Sequence, residues 1–141
     1  MLESFEFHHV GVAVSDIEKT AELYRRGGYR ASAVTYDPVQ QVDVCWLVRP
    51  GAPVVELLAP VGDDSPVRRT LDKNGVTPYH MCYRVQDLDA AVAALRAQRY
   101  VLVSRPAGAV ALGGSRVCFL YHKDAGLVEL AEAPANIPST E

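Results

Sequence analysis

The sequence has no pair of cysteines at the short spacing that zinc ribbons and dithiol redox centres use. Its three cysteines, Cys45, Cys82 and Cys118, are widely separated, and each lies within an apolar, strand-like run. An odd number of separated thiols is typical of reduced core cysteines and not of a disulfide framework. The N-terminal residues also lack the basic start and apolar run of a secretory signal. We therefore expect a cytoplasmic protein.

Long apolar runs and an excess of basic charge are missing as well. No stretch approaches the roughly 18 apolar residues that a membrane-spanning helix needs. The net charge of −3 and the pI near 5.8 provide no basic field for nucleic acid or for an anionic membrane. A chain of 141 residues, 49% hydrophobic and 22% charged, has the size and composition of one globular domain. We expect residues 1–141 to form a single domain that binds a small molecule.

An internal repeat is the main feature that the sequence does contain. His9 and His80 are 71 positions apart, and the same offset relates Asp16 to Asp87, each of which precedes an apolar helical pattern. An offset that persists from one element into the next indicates a duplicated unit. We therefore interpret the chain as two copies of one structural module.

Each half also closes in the same way. Glu56 lies within the apolar run 55–60, and Glu129 lies within the run 128–134, at an offset of 73. Each half thus opens with a histidine on a predicted strand and closes with a glutamate on another predicted strand.

Periodicity predicts the same order of elements in both halves. The first module, about residues 5–60, contains a strand, an amphipathic helix and three further strands. A linker with a short helix follows over residues 61–78, and the second module, about residues 79–134, repeats the β-α-β-β-β order. The predicted strands cover residues 5–14, 29–36, 42–48, 53–59, 79–85, 101–104, 115–121 and 127–131. The prediction is an α+β fold of two tandem βαβββ modules whose sheets curve around a cavity.

Alternation along the strands identifies candidate metal ligands. It directs His9 and His80 to the face away from the helices, and Glu56 and Glu129, each between apolar neighbours, to the same face. Two carboxylates on interior faces are costly unless they are paired or bound to a cation. Two imidazoles and two carboxylates suit one divalent Zn, Co, Ni, Mn or Fe ion. The same alternation sends His8 to the covered side or the edge, so we expect its replacement to cost little.

Three stretches of the chain resemble the vicinal oxygen chelate superfamily, which includes glyoxalase I, extradiol dioxygenases, bleomycin-resistance proteins and methylmalonyl-CoA epimerase. The likeness covers about residues 7–134 and is strongest to methylmalonyl-CoA epimerase. The stretches are Val55-Glu56-Leu57-Leu58-Ala59-Pro60 running on to Lys73-Asn74-Gly75, then Tyr79-His80-Met81-Cys82-Tyr83-Arg84-Val85, and finally Gly113-Gly114-Ser115-Arg116-Val117 with Val128-Glu129-Leu130.

The resemblance implies one incomplete barrel, built by both modules around a metal ion held by His9, Glu56, His80 and Glu129. It implies an isomerase that moves the C2 proton of a 2-substituted malonyl-CoA thioester, and a homodimer, which is common in the superfamily. The chain departs from the epimerase pattern at three places, one of which is a turn before Glu129 that looks about two residues short. Tyr121-His122-Lys123 stands where epimerases typically have His-Pro-Lys. The position of Glu56 is often glutamine in epimerases and is usually glutamate in glyoxalase I.

Moving a proton between the two faces of C2 requires one acid–base group on each face. The resemblance assigns one of these roles to Glu129, which would both touch the metal and move the proton. It directs the search for the second acid to the strand before Glu56, where Asp43 is the acid available. A hairpin with its turn at residues 49–52 directs Asp43 into the cavity, whereas a different turn directs Val44 inward.

Four further side chains are candidates for contacts with the substrate. Arg84 shares the predicted face of His80, so it could meet an anionic group of the substrate or pair with a cavity acid. Arg116 and Lys123 could contact the phosphates of a CoA tail. Tyr121 lies where the chain departs from the epimerase pattern, at the expected rim of the cavity.

Other functions stay open at the level of sequence. A biosynthetic enzyme of the same superfamily could keep the metal and act on another substrate, including the reaction of a glyoxalase I type of lyase. A small-molecule binding protein of the bleomycin-resistance type would need no complete ligand set, which this chain has. Extradiol dioxygenases bind iron through two histidines and one carboxylate, so a fourth ligand at Glu56 argues against that chemistry.

Overall fold

The computed structural model describes residues 4–141, which contain ten strands and three helices. The strands are β1 (Glu6–Ala13), β2 (Arg30–Ala31), β3 (Thr35–Asp37), β4 (Val42–Val48), β5 (Val55–Pro60), β6 (Thr77–Val85), β7 (Val101–Leu102), β8 (Ala107–Gly108), β9 (Arg116–His122) and β10 (Gly126–Glu132). The helices are α1 (Ile17–Arg26), α2 (Pro66–Asn74) and α3 (Leu88–Ala97), and a short 3-10 helix covers Val110–Leu112.

All ten strands belong to one open sheet with a two-fold pattern. The strand order is β2-β4-β5-β1-β6-β10-β9-β7, with β3 beside β4 and β8 beside β9. At the centre β1 and β6 pair antiparallel, and each of them pairs in parallel with the last strand of its own half, β5 or β10. The predicted α+β fold, with two βαβββ units in one incomplete barrel, is confirmed.

The two halves begin their helices in the same way. The carboxylate of Asp16 accepts a hydrogen bond from the backbone N–H of Lys19 at 3.0 Å, and the carboxylate of Asp87 accepts one from the N–H of Ala90 at 3.0 Å. Both are N-caps, which bind one of the free amides at a helix start. The apolar sides of α1 and α3 then pack against the outer face of the sheet, so its concave face is left for the interior.

Local hydrogen bonds explain where the strands differ from the prediction. The predicted strand 29–36 is split into β2 and β3, because the Ser32 hydroxyl accepts the backbone N–H of Trp46 at 2.9 Å in place of a regular ladder bond. The predicted linker helix is present as α2, which starts after Ser65, whose hydroxyl accepts from Val67 N. No helix in the described part of the chain is both long enough and apolar enough to cross a membrane.

The register between β4 and β5 differs by one residue from the register of a hairpin whose turn is residues 49–52. Trp46 lies opposite Glu56, and Val44 lies opposite Leu58. The ladder begins at Leu47 opposite Val55, whereas a turn at residues 49–52 would begin it at Val48 opposite Pro53. Pro53 has no N–H to donate to a ladder, and it lies in the connection between the strands. A shift of one residue turns every side chain of a strand to the other face.

Two irregularities interrupt the central β1–β6 ladder, and both lie next to a histidine. His8 is the extra residue between Phe7 and His9 on β1, and Tyr79 is the extra residue just before His80 on β6. Each behaves as a β-bulge, which breaks strict alternation and re-aims side chains. The two bulges are 71 positions apart, so the repeat extends to the irregular backbone beside each histidine.

The concave face carries its own apolar cluster. Trp46 is fully buried there, and its indole N–H donates to the backbone oxygen of Ala111 at 3.1 Å, which ties the first half to the second. The ring of Trp46 also meets the ring of His9 edge-on at a centroid distance of 4.8 Å. The interior of the barrel is therefore packed up to the point where the polar side chains converge.

Candidate metal centre

Four polar side chains converge at the centre of the sheet. His9 on β1, Glu56 on β5, His80 on β6 and Glu129 on β10 come from the four adjacent central strands, and all four are buried. Each half contributes one imidazole from its first strand and one carboxylate from its last strand. The structure thus brings together the four residues that the sequence repeat singled out.

The four side chains meet through one atom each. The Nε2 atoms of His9 and His80 are 3.1 Å apart. The Oε1 atoms of Glu56 and Glu129 lie 3.2 Å from His9 Nε2, and 3.3 Å and 3.1 Å, respectively, from His80 Nε2. Four potential ligand atoms within 4.8 Å of one another surround a single point.

The charges of these groups depend on one another. Burial acts to lower the pKa of His80, but the Glu129 and Glu56 carboxylates outweigh burial and raise that pKa to about 9. Burial also acts to lower the pKa of His9, but the same two carboxylates raise it above its ordinary value. The pKa values of Glu56 and Glu129 are lowered by the two imidazoles against the effect of burial. Both carboxylates are therefore anionic at neutral pH, and they need positive charge beside them.

A divalent cation fits this set of donors. Glu129 Oε1 is buried without a hydrogen-bond partner of acceptable geometry, although two imidazoles surround it. Two carboxylates and two imidazole nitrogens that face one point satisfy the ligand preferences of Zn²⁺ and similar first-row ions. Bonds of about 2.0–2.2 Å in a tetrahedral site place the ligand atoms roughly 3.3–3.6 Å apart. The observed separations of 3.1–3.3 Å therefore need little adjustment. The four residues could hold such an ion.

Close packing fixes the ring of His80. A side chain added at Gly11 would overlap this ring, since an ideal Cβ would lie 2.6 Å from both ring nitrogens. On its other side the ring of Phe119 meets the imidazole edge-on at 5.2 Å. Cys82 is also buried nearby, and burial together with the neighbouring Glu129 carboxylate raises the pKa of its thiol well above the ordinary value of 9.

Asp43 does not lie on the face that bears the four converging residues. In the observed register Val44 and Trp46 share the face of Glu56, so Asp43 points to the opposite face of β4. The expectation that Asp43 reaches the cavity is wrong, because the ladder starts one residue away from the register of a four-residue turn. A buried valine, Val44, stands where the inward-facing acid was expected.

Arg84 and Arg116 are already paired with acids away from the centre. Arg84 donates to the Glu6 carboxylate at 2.7 and 3.1 Å and to the backbone oxygen of Pro134. Arg116 donates to Glu132 at 3.0 and 3.1 Å and to a carboxylate on α3 at 3.4 Å. Regular alternation leaves Arg84 on the same face of β6 as His80, but its guanidinium pairs with Glu6, its partner in the β1–β6 ladder, and not with an acid of the centre. For Arg116, the observed pairing offers no support for a phosphate contact.

Tyr121 and Lys123 lie at the end of β9 and in the turn that follows, and both are exposed. Tyr121 shares its strand face with Phe119, which contacts His80. A cavity of about 200 Å³ lies beside this region, lined by Phe119 and Tyr79, whose rings contact His80, together with Val103, Arg105, Val117 and Leu127. Tyr121 thus lies on the strand face that lines the cavity.

His8 is a second residue whose position differs from the prediction. Its Nδ1 lies 2.7 Å from the Nδ1 of His9, and its Nε2 lies 2.7 Å from the backbone oxygen of Ala135. The expectation of a covered or edge position is wrong, because the bulge at His8 breaks the alternation on which it depended. The signal that could have found it is the pair of polar or aromatic residues, His8-His9 and Tyr79-His80, repeated at the same offset.

Replacing Gly11 with alanine tests the close packing at His80. We expect Gly11→Ala to push the imidazole out of position and to lower the affinity for Zn²⁺ or Co²⁺ at least tenfold, about 1.4 kcal/mol. Competition with a chromophoric chelator measures the affinity, and circular dichroism checks that the fold is kept. A variant that folds and binds either ion as tightly as the parent would show that the contact does not constrain the ring.

The stability of the metal-free protein should depend on pH through His80. Its ordinary pKa is 6.5 and its pKa in the folded state is about 9. The folded state therefore binds this proton more tightly, and the stabilisation is complete below pH 6.5 and is lost as the pH rises through 9. We expect the urea midpoint to fall over that range and His80→Gln to reduce the slope, with His9, whose pKa is also raised, supplying the remainder. A midpoint that is flat between pH 6.5 and 9 would contradict the pairing.

Comparison with known proteins agrees with this geometry. Residues 8–119 match the glyoxalase/bleomycin resistance protein/dioxygenase superfamily. The chain is 38% identical to the mitochondrial methylmalonyl-CoA epimerase of Mus musculus, over 89% of this chain and 72% of that protein. It is 34% identical to an ethylmalonyl-CoA/methylmalonyl-CoA epimerase of Cereibacter sphaeroides, over 89% of this chain and 96% of the relative.

Solved structures extend the likeness to three dimensions. A methylmalonyl-CoA epimerase in complex with methylmalonyl-CoA and NH4+ superimposes with a TM-score of 0.80 at 28% identity, over 96% of this chain and 100% of that chain. The family match spans most of the sequence, and the fold and the converging histidines and glutamates agree with it. The chain belongs to the glyoxalase/bleomycin resistance protein/dioxygenase superfamily.

Proposed function

We propose that the protein is a metal-dependent epimerase of a 2-substituted malonyl-CoA thioester, of the methylmalonyl-CoA type. The observation that carries the proposal is the convergence of His9, Glu56, His80 and Glu129 on one point in the barrel. Its relatives with 34–38% identity over 89% of the chain are epimerases of such thioesters, which supports the reaction and the acyl-CoA class of substrate.

The four residues are proposed as the ligands of one divalent cation, and Zn, Co, Ni, Mn and Fe all suit the donor set. When bound, such a cation supplies Lewis acidity that stabilises the negative charge developing on the thioester and carboxylate oxygens of the substrate. The chain itself surrounds the four ligands with closely packed side chains. Trp46 and Phe119 close the space beside His9 and His80, respectively, so that charges there interact strongly.

Glu129 is the proposed base. In the step that it performs, the C2–H bond breaks, the electron pair moves onto the substrate oxygens, and the proton passes to a carboxylate oxygen of Glu129. The two imidazoles lower the pKa of this carboxyl, so it is deprotonated and ready to accept. Completing the inversion then requires a proton donor on the opposite face of C2.

We assign the donor on the opposite face to Glu56, in place of Asp43. Glu56 and Glu129 come from β5 and β10, which flank the β1–β6 pair on opposite sides. With Val44 on the inward face of β4, Glu56 is the other carboxylate that faces the centre within residues 4–141. For one epimer Glu56 first takes up a proton from solvent, Glu129 removes the C2 proton, Glu56 returns its proton to the opposite face, and Glu129 releases the abstracted proton to solvent. For the other epimer the roles are exchanged.

The cavity beside His80 is the proposed place of the acyl group and the start of the CoA tail. Its wall of Val103, Val117, Phe119 and Leu127 suits a short alkyl substituent. Arg105 and Asp37 also line this cavity and bring one charge of each sign, and Tyr121 and Lys123 are proposed to contact the tail. We also propose that the chain is a single domain, with modules at about 5–60 and 79–134 joined by a linker at 61–78. We further propose that it forms a homodimer and is cytoplasmic.

Hydrogen exchange tests the reaction class. Protein loaded with Co²⁺ or Zn²⁺ is incubated in D₂O with one epimer of methylmalonyl-CoA, and the C2 signal is followed by NMR. We expect the signal to disappear in an enzyme-dependent manner while the other epimer forms, and we expect no reaction after chelation. Absence of exchange while the ion is bound would reject the epimerase assignment and would leave a binding protein or an enzyme with another substrate.

The two-carboxylate assignment predicts a division of labour. Glu56→Gln keeps an oxygen ligand, so it should still bind the metal, and it should exchange the C2 proton of one epimer while inversion falls at least about 100-fold. Glu129→Gln should exchange only the other epimer. Adding Val44→Glu to Glu56→Gln should restore part of the inversion, because Val44 shares the inward face with Glu56. Normal inversion by metal-loaded Glu56→Gln would disprove the role of Glu56.

A further inference from the structure

We propose that His8 is a positioning residue, which fixes the imidazole of His9 in the form that presents a free Nε2 lone pair to the metal. The inference rests on the metal-binding part of the proposed function and is independent of the substrate. It concerns a residue that touches neither the converging atoms nor the proposed substrate cavity. Its basis is a continuous set of hydrogen bonds from the backbone at Ala135 to the ring of His9.

The direction of these hydrogen bonds follows from the carbonyl group. The oxygen of Ala135 can only accept, so His8 Nε2, 2.7 Å away, must carry a hydrogen. A neutral His8 then has a lone pair at Nδ1, which lies 2.7 Å from the Nδ1 of His9. The hydrogen between the two rings therefore belongs to His9 Nδ1. The Nε2 of a neutral His9 is left as a lone pair that points at His80 Nε2 and the two carboxylates.

The segment around Ala135, which binds His8, is itself held in place. Ala135 is buried, and its backbone N–H donates to the hydroxyl of Ser115 at 3.0 Å. Trp46 meets both imidazoles edge-on, His9 at 4.8 Å and His8 at 6.1 Å between centroids. His8 is thus held in position by its own packing and by the segment after β10.

The two histidines of the centre are oriented by different means. The Nδ1–H of His9 donates a hydrogen bond to His8. His80 Nδ1 is instead buried without a hydrogen-bond partner, and its ring is oriented by packing against Gly11 and Phe119. Partners of this kind fix the tautomer and ring orientation of a metal-binding histidine, and their removal typically lowers metal affinity about 10–100-fold. The role of His8 is therefore specific to one ligand.

The test compares two substitutions at His8 with a control. His8→Leu removes the acceptor, and His8→Gln offers a carbonyl oxygen to the same N–H. We expect the affinity for Zn²⁺, measured by chelator competition, to fall about 10–100-fold in His8→Leu and to recover substantially in His8→Gln. His122→Leu, which replaces a histidine against Tyr100 outside the centre, should leave the affinity unchanged.

A spectroscopic measurement distinguishes positioning from loss of structure. In ¹⁵N-histidine NMR of the Zn²⁺-loaded protein, we expect the His9 Nδ1–H proton to be protected from solvent exchange in the parent and in His8→Gln, and to be exchange-broadened in His8→Leu. Unchanged Zn²⁺ affinity in His8→Leu, or a hydrogen found on His8 Nδ1, would overturn the proposal. So would a thiolate charge-transfer band in the Co²⁺ spectrum, which would place the cation at His8 and Cys82. None of these measurements uses substrate, so failure of the epimerase assignment would be separately visible.

Discussion

Two buried carboxylates at the centre of a β-sheet are the constraint on which the rest of this structure depends. Glu56 and Glu129 lie among apolar strand residues, where an unpaired charge would be very unfavourable. Two imidazoles from the strands between them provide the compensation, and their pKa values are raised accordingly. Removing one partner from such a set leaves a buried charge uncompensated, which is the costly outcome. The bulges, the small residue at Gly11 and the outer contact of His8 all serve to keep four side chains at one point.

Much of this arrangement can be predicted from the sequence, because the sequence contains an internal repeat. The recurrence of His9 as His80 and of Glu56 as Glu129 identifies the residues that converge, and the order of elements follows from periodicity and from capping residues such as Asp87. Strict alternation was the weak step in that reasoning. It assigns a face to every strand residue only if the register and the pleat are regular, and neither condition is visible in a single sequence.

The two misplaced residues show the physical cause. A hairpin with its turn at residues 49–52 predicts that Asp43 faces the cavity, whereas the observed ladder is shifted by one residue and has Val44 inward, as the alternative turn predicts. Alternation predicts His8 on the covered side or at the edge, but the bulge at His8 brings its ring into contact with that of His9. Arg84 illustrates a third cause, which is pairing at the surface. Its guanidinium binds the exposed Glu6 on the neighbouring strand and does not contact the acids of the centre.

The order of the central strands, β5-β1-β6-β10, has a kinetic consequence. Neither half of the chain contains a complete set of donors, so an ion at the centre would join strands that are distant in sequence and would act as a cross-link through the middle of the sheet. Its donors would come from strands held on both sides by ladder hydrogen bonds. Separation of the two halves would then require the ion to lose the donors of one half. A bound ion would consequently slow that separation.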